Sequence, residues 1–198
     1  MTNYQKLYDG IGRAAWGYFF VYFDFNINTV SILPSFIGYM LFLSAINCLC
    51  EEEKELNLLR TFGVILTAWH IGKWGASWRG AGLDGMLQAA DIIIGVVNIY
   101  FHFQLITNLA SIAVKYQSAG DVLDAKLLKY RTFQTVMLTA VIIIGYLAKW
   151  LPELVTVISV CMIIAYLIAG ILLMKVLFDL RRRLTLDFHN TDIDTDTI

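Results

Sequence analysis

Six stretches of apolar residues, each long enough to cross a membrane, occupy most of the chain, and short polar segments separate them. The hydrocarbon core of a bilayer is about 30 Å thick and is crossed by about 20 residues of helix. A segment in lipid must satisfy its backbone hydrogen bonds internally, so such spans form helices. The pattern therefore predicts an all-α, polytopic membrane helix bundle with six transmembrane helices. The predicted spans are residues 9–27, 32–50, 60–78, 86–110, 132–150 and 154–176.

The positive charges between these spans alternate from one side of the membrane to the other. Twelve Lys and Arg residues fall on the side that carries both termini, and three fall on the opposite side. Cytoplasmic segments are enriched in Lys and Arg. We therefore predict that both termini are cytoplasmic, and an odd number of spans would remove this asymmetry.

The composition predicts one membrane domain and a short polar tail. Apolar residues make up 58 % of the chain and charged residues 16 %, compared with about 25 % charged in a typical soluble domain. We assign residues 1–180 to a single transmembrane domain. Residues 181–198 are poor in apolar side chains and contain several aspartates, so we expect a disordered, acidic cytoplasmic tail. The net charge of −1 argues against a nucleic-acid partner.

Two connecting segments have patterns of their own. Residues 24–34 alternate polar and apolar side chains, which predicts extended chain. Residues 120–131 place several apolar side chains near one face of a short helix, with aspartates early and Lys or Arg late. The helix dipole favours that order of charges. We expect this second segment to lie on the membrane surface as an amphipathic linker.

A stripe of polar and small residues follows the fourth span. At about 100° per residue, its members fall within an arc of about 80°. Strongly polar side chains are costly at membrane depth, so the stripe should face the bundle interior or a wet cavity. It either forms structural hydrogen bonds between helices or lines a functional site. Its residues are Gln88, Asp91, Gly95, Asn98 and His102.

Four ionisable residues should lie toward the outer half of the membrane: Asp24, His70, Lys73 and Asp91. They could neutralise one another, which would avoid an unpaired buried charge. Alternatively, they could line an outward-facing pocket for a small polar or cationic ligand, or carry a proton. The polar link between the first two spans would lie at the mouth of such a pocket. The candidate cavity-lining residues are Asp24, Asn26, His70, Lys73, Asp91, Asn98 and His102.

The first span repeats part of the fourth at a constant offset of 78 residues. Arg13, Gly17 and Asp24 align with Asp91, Gly95 and His102. If the halves are copies, each has three spans, so the two are inverted relative to one another. Inverted repeats with a site at their interface are typical of many transporters. The alternative is a chance match between two aromatic-rich helices.

The stretch Tyr22–Tyr39, followed by three glutamates at 51–53, resembles small multi-pass membrane proteins of Gram-positive anaerobic bacteria. These proteins have no assigned activity. The resemblance implies a bacterial plasma membrane location and supplies no catalytic residue.

The sequence contains no HExxH, GxSxG or P-loop motif. The three cysteines should be buried, reduced thiols, and we predict no catalytic residues, no metal site and no cofactor. The leading hypothesis is a small bundle that binds or transports a solute or ion through a polar lining on spans 1, 3 and 4. The alternative is a non-transporting regulatory, immunity-type or scaffold subunit. Besides the lipid bilayer, a homodimer or a second membrane protein is a candidate partner under either hypothesis.

Overall fold

A computed structural model describes residues 4–23, 26–27, 30–31, 34–78, 88–118, 120–147 and 152–195 of the 198-residue chain. The described residues form six helices and one two-stranded antiparallel hairpin, which confirms the all-helical class. The helices are α1 (Tyr4–Tyr22), α2 (Ser35–Leu49), α3 (Leu56–Trp78), α4 (Gln88–Tyr116), α5 (Leu123–Leu147) and α6 (Pro152–Thr195). The hairpin strands are β1 (Asn26–Ile27) and β2 (Val30–Ser31).

The helices pack as a ring. Each helix packs against its neighbours along the chain, and α6 packs back against α1. Side chains from α1, α2 and α4 fill the interior between them, with Tyr18, Tyr39, Phe42 and Phe101 all fully buried. The ring therefore has a solid aromatic core on the side formed by the first four helices.

Three of the helices contain segments that are long and apolar enough to cross a membrane: Ala90–Tyr116, Leu123–Ile144 and Val157–Leu184. Helix α2 is a shorter apolar helix. Only 17 % of the most apolar stretch of α6 is buried within the protein. A soluble monomer rarely exposes so large an apolar surface, and by length and composition these three helices could cross a membrane.

Helices α1 and α2 approach each other closely at Gly17 and Gly38. A Cβ atom added to Gly38 would lie 2.7 Å from the backbone oxygen of Gly17. A Cβ atom on Gly17 would in turn lie 2.6 Å from the ring of Phe42. Small residues at such a crossing allow helix backbones to pack directly against each other in membranes.

One end of the bundle collects the segments that the sequence predicts to be cytoplasmic. Lys6 of α1 forms an ion pair with Glu51, with its Nζ atom 2.9 Å from the carboxylate. The hydrogen bond and charge of Glu51 raise the pKa of Lys6. Tyr116 at the end of α4 donates a hydrogen bond of 2.9 Å to Glu52. The start of α1, the α2–α3 connection and the end of α4 therefore meet at this end.

The connecting segments differ partly from the prediction. The extended chain predicted over residues 24–34 is confirmed at Asn26–Ile27 and Val30–Ser31, which pair with Asn26 opposite Ser31; residues 24–25, 28–29 and 32–33 lie outside the described residues. The separate surface helix predicted over residues 120–131 is wrong: its residues after Val122 form the first turns of α5. Leu123 and Leu127 are buried against the bundle, and no proline or glycine interrupts the helix before the apolar stretch.

The last helix also extends further than predicted. Helix α6 continues to Thr195, past the end that the sequence predicts for the ordered domain at residue 180. Leu180 and Leu184 are buried, and Arg183 forms an ion pair with Asp121. These contacts hold the helical turn after residue 180 against the bundle.

Candidate functional site

Aromatic side chains from α1 and α2 surround His102, which lies on α4 in the interior of the bundle. His102 is 1 % exposed. Its ring centroid lies 5.5 Å from that of Tyr18 on α1, and 5.6 Å and 6.0 Å from those of Phe42 and Tyr39 on α2. Within the described part of the chain, neither imidazole nitrogen has a hydrogen-bond partner. The imidazole is therefore enclosed by aromatic rings and retains its full capacity to bind hydrogen-bonding groups.

Tyr18 has the same property. Its side chain is fully buried, its ring packs edge-on against Phe42 at 4.8 Å, and its hydroxyl has no partner among the described residues. Most buried polar atoms in native proteins are hydrogen-bonded, and an exception calls for a functional or structural explanation. Two such side chains lie side by side here.

A chain of polar contacts leads from this centre toward α3. The Tyr39 hydroxyl donates to Oδ1 of Asn98 at 2.7 Å. The Tyr39 ring stacks on the His70 ring with the centroids 4.7 Å apart and the planes at 22°. His70 Nδ1 lies 2.8 Å from the hydroxyl of Ser35, which is the first residue of α2. We name these residues the central polar cluster: Tyr18, Ser35, Tyr39, His70, Asn98 and His102.

Lys73 and Asp91 lie outside this cluster and form an ion pair between α3 and α4. The Nζ atom of Lys73 is 3.0 Å from Oδ1 of Asp91. Both side chains are about half exposed, at 51 % and 47 %. Of the four ionisable residues expected to lie together, Lys73 and Asp91 form an ion pair, and this pair lies at the surface of the protein.

The polar stripe on α4 is divided between two environments. Asn98 and His102 face the core, whereas Asp91, in the first turn of α4, is exposed. Gly95 lies between these groups, and a Cβ atom added to it would be 3.0 Å from Ile142 of α5. The stripe therefore faces the bundle interior over its second half.

Two of the predicted residues lie partly or wholly beyond what the structure describes. Asp24 falls outside the described residues. Asn26 belongs to strand β1, and its side chain is not described. The central polar cluster therefore contains three of the predicted candidates: His70, Asn98 and His102.

Sequence reasoning missed the cluster members on α1 and α2. Ser35 and Tyr39 are spaced i, i+4, so they lie on one face of α2. That spacing of two hydroxyl side chains in the first half of α2, where the other residues are apolar or glycine, is the signal that could have identified them. Tyr18 has no comparable signal, because the sequence contains ten tyrosines and aromatic residues are common on both the lipid and the core faces of membrane helices.

A separate cavity of about 560 Å³ opens between α1, α5 and α6. Its lining is largely apolar, and Met137, Met162 and Ile163 contribute to it. Tyr22 and Tyr166 also line it, and their ring centroids lie 4.4 Å apart. The ring of Tyr22 also contacts that of Tyr18, with the centroids 5.9 Å apart.

The arrangement can bind a small polar species or pass a proton. A neutral imidazole offers one donor and one acceptor, and a tyrosine hydroxyl offers both functions. Among the described residues, no three side chains of His, Cys, Asp or Glu lie together as a metal-binding group would. No protein family, curated protein or solved structure matches this chain.

Proposed function

We propose that this is a multi-pass protein of the bacterial plasma membrane that binds and transports a small ion or polar solute through its central polar cluster. In this proposal all six helices lie in the bilayer, and both termini are cytoplasmic. The shared position of Lys6, Glu51 and Tyr116 at one end of the bundle supports this threading. The excess of positive charge in the same segments supports the cytoplasmic assignment of that end.

The observation that carries the transport proposal is the pair of buried side chains without partners, His102 and Tyr18. Leaving a buried donor or acceptor unsatisfied costs about 1–3 kcal/mol. If these two positions served only to pack the core, an apolar side chain would fill them without this cost. A ligand or a proton that reaches these atoms during function explains why polar side chains occupy these positions.

One end of the central polar cluster also lies close to the surface of the protein. His70 and Lys73 lie one turn apart on α3, so the buried cluster begins close to the exposed Lys73–Asp91 pair. From His70 the series continues through ring contacts with Tyr39 and His102 and through the hydrogen bond from Tyr39 to Asn98. We infer that a ligand enters at the ion pair and reaches the imidazole of His102 through this series.

The test begins with the purified protein in detergent and a thermal-shift screen against ions, amino acids and other small metabolites. A ligand at a hundredfold excess over its dissociation constant stabilises the folded state by about 2.7 kcal/mol. We expect this stabilisation to be lost in Tyr18→Phe and in Asp91→Asn, while both variants remain folded. Tyr100→Phe is the matched control, because it removes a hydroxyl from an exposed position on α4.

The second step places the same variants in lipid vesicles and measures uptake of the species identified in the screen, with proton uptake followed by an internal pH dye. Transport that is lost in Tyr18→Phe and His102→Phe but retained in Tyr100→Phe would support the proposal. Equal uptake by all variants would contradict it.

The alternative function is that of a regulatory, immunity-type or scaffold subunit, in which the α4 stripe packs against a partner helix. Asn98 and His102 pack within this chain, so only the Asp91 end of the stripe is accessible to a partner. This burial favours the transport proposal. The alternative predicts that a second membrane protein co-purifies and is lost in Asp91→Asn, with no ligand found in the screen.

A further inference from the structure

A second pocket, of about 430 Å³, lies at the end of the bundle where α4 turns into α5. The turn residues form one wall, and residues 179–183 of α6 form the other. Its charged lining residues are Asp121, Lys126, Asp179, Arg182 and Arg183. The proposed transport route does not use this pocket, and the inference drawn from it rests on the proposed function only in placing this end of the bundle at the cytoplasmic face.

The wall formed by the α4–α5 turn is held in place by specific contacts. Gly120 has a φ angle of 92°, a left-handed conformation that glycine adopts without strain. The side-chain oxygen of Gln117 accepts hydrogen bonds from the backbone N–H groups of Leu123 and Asp124, at 3.0 Å and 3.3 Å. The same side chain donates to the carboxylate of Asp124 at 3.0 Å. The start of α5 is thus capped from within the turn.

Two of the positively charged side chains in the pocket have no ion-pair partner among the described residues and can bind a ligand. Arg183 is bound to Asp121, with 3.3 Å between nitrogen and oxygen. Lys126 and Arg182 are exposed, and within the described ranges neither forms a side-chain hydrogen bond or an ion pair. The other carboxylate in the pocket lining, that of Asp179, forms no ion pair with a described residue. The lining therefore carries three cations and two carboxylates, and two of the cations face the open space.

We propose that this pocket binds a phosphate group through Lys126 and Arg182. Lys and Arg recognise phosphate oxygens by charge-assisted hydrogen bonds, and basic pockets on the cytoplasmic side of membrane helices suit lipid head groups. The exposed Val122 forms part of the same pocket, so an apolar surface adjoins the charged one. The phosphate comes either from an anionic lipid of the inner leaflet or from a soluble phosphorylated compound.

The experiment measures the melting temperature of the full-length protein in neutral detergent with two probes. One probe is inorganic phosphate, compared with chloride at the same ionic strength. The other is phosphatidylglycerol in mixed micelles, compared with phosphatidylcholine. The test variants are Lys126→Gln and Arg182→Gln, and the control is Lys129→Gln, which removes the same charge from an exposed position outside the pocket.

We expect at least one probe to raise the melting temperature, and each pocket variant to weaken its apparent affinity by about tenfold. Lys129→Gln should leave the affinity unchanged, and the melting temperature without a probe should be similar for all three variants. Stabilisation by inorganic phosphate identifies a soluble phosphorylated ligand, and stabilisation by phosphatidylglycerol alone identifies a lipid head group. The proposal is overturned if neither probe acts, or if Lys129→Gln weakens binding as much as the pocket variants do.

Discussion

The imidazole of His102 and the phenol of Tyr18 meet at the centre of the bundle, with their ring centroids 5.5 Å apart. Three buried polar atoms lie at this contact without a partner among the described residues: both ring nitrogens of His102 and the hydroxyl of Tyr18. Neighbouring Tyr39, by contrast, uses its hydroxyl to bind Asn98. This difference between two buried tyrosines allows structural and functional roles to be separated by experiment.

We predict that Tyr39→Phe and Tyr18→Phe have different effects on stability. Tyr39→Phe leaves the Asn98 oxygen without its donor and should lower the free energy of unfolding by about 1 kcal/mol. Tyr18→Phe removes a hydroxyl that has no protein partner, so stability should stay the same or rise slightly. Reversible unfolding by SDS in mixed micelles measures both values. An equal loss for the two variants would mean that the Tyr18 hydroxyl is bound within the protein.

The Lys73–Asp91 ion pair should contribute little to stability. Both partners are about half exposed, and exposed ion pairs are typically worth about 0–1 kcal/mol. A double-mutant cycle with Lys73→Gln and Asp91→Asn should therefore give a coupling free energy below about 1 kcal/mol. A small coupling together with loss of ligand binding in Asp91→Asn would assign this carboxylate to function. A large coupling would indicate that the pair holds α3 and α4 together.

Two glycine substitutions should shift stability in opposite directions. In Gly38→Ala the new methyl group would meet the backbone oxygen of Gly17 at 2.7 Å, and two helices would have to separate. Overpacking of this kind costs about 1–3 kcal/mol. Gly72→Ala is the control, because nothing lies within 4 Å of the new Cβ atom. It should be neutral or stabilise α3 by up to about 1 kcal/mol. Thermal unfolding of both variants in detergent measures the difference.

The proposed orientation can be tested with single cysteines. After Cys48, Cys50 and Cys161 are replaced by alanine, Ser118→Cys reports on the α4–α5 turn and Trp78→Cys on the end of α3. Both positions are exposed. A membrane-impermeant maleimide added to intact cells should label the second variant, and should label the first only after the cells are opened. The reverse pattern would place the termini outside.

The sequence predicts the number of helices because long apolar runs separated by polar segments leave few alternatives. It predicts helix ends less well. Helix α5 begins at Leu123 although the apolar run begins later, because its first turns bury Leu123 and Leu127 and expose charged residues to water. Hydropathy averaged over the length of a span does not detect that one helix passes from a polar environment at its start to an apolar one further along.

Part of the candidate site could be predicted from the sequence, because polar residues stand out in an apolar helix. Polar residues such as Asn98 and His102 are rare in a span, so their positions show which face of α4 is buried. The aromatic residues around them give no such information, since lipid and protein core are both apolar. Tyr18 faces the core and Tyr100 faces outward, and only the three-dimensional packing distinguishes them.

The contact between Gly17 and Gly38 also has a mechanical consequence. The backbones of α1 and α2 lie in close contact at this point, and a short antiparallel strand pairing lies in the link between the two helices. Both features should restrict the sliding and tilting of one helix relative to the other. They should move as a single stiff body during any cycle that opens the centre of the ring. The contact between α5 and α6 should adapt more readily, because the 560 Å³ cavity lies between these two helices and flexible methionine side chains line it.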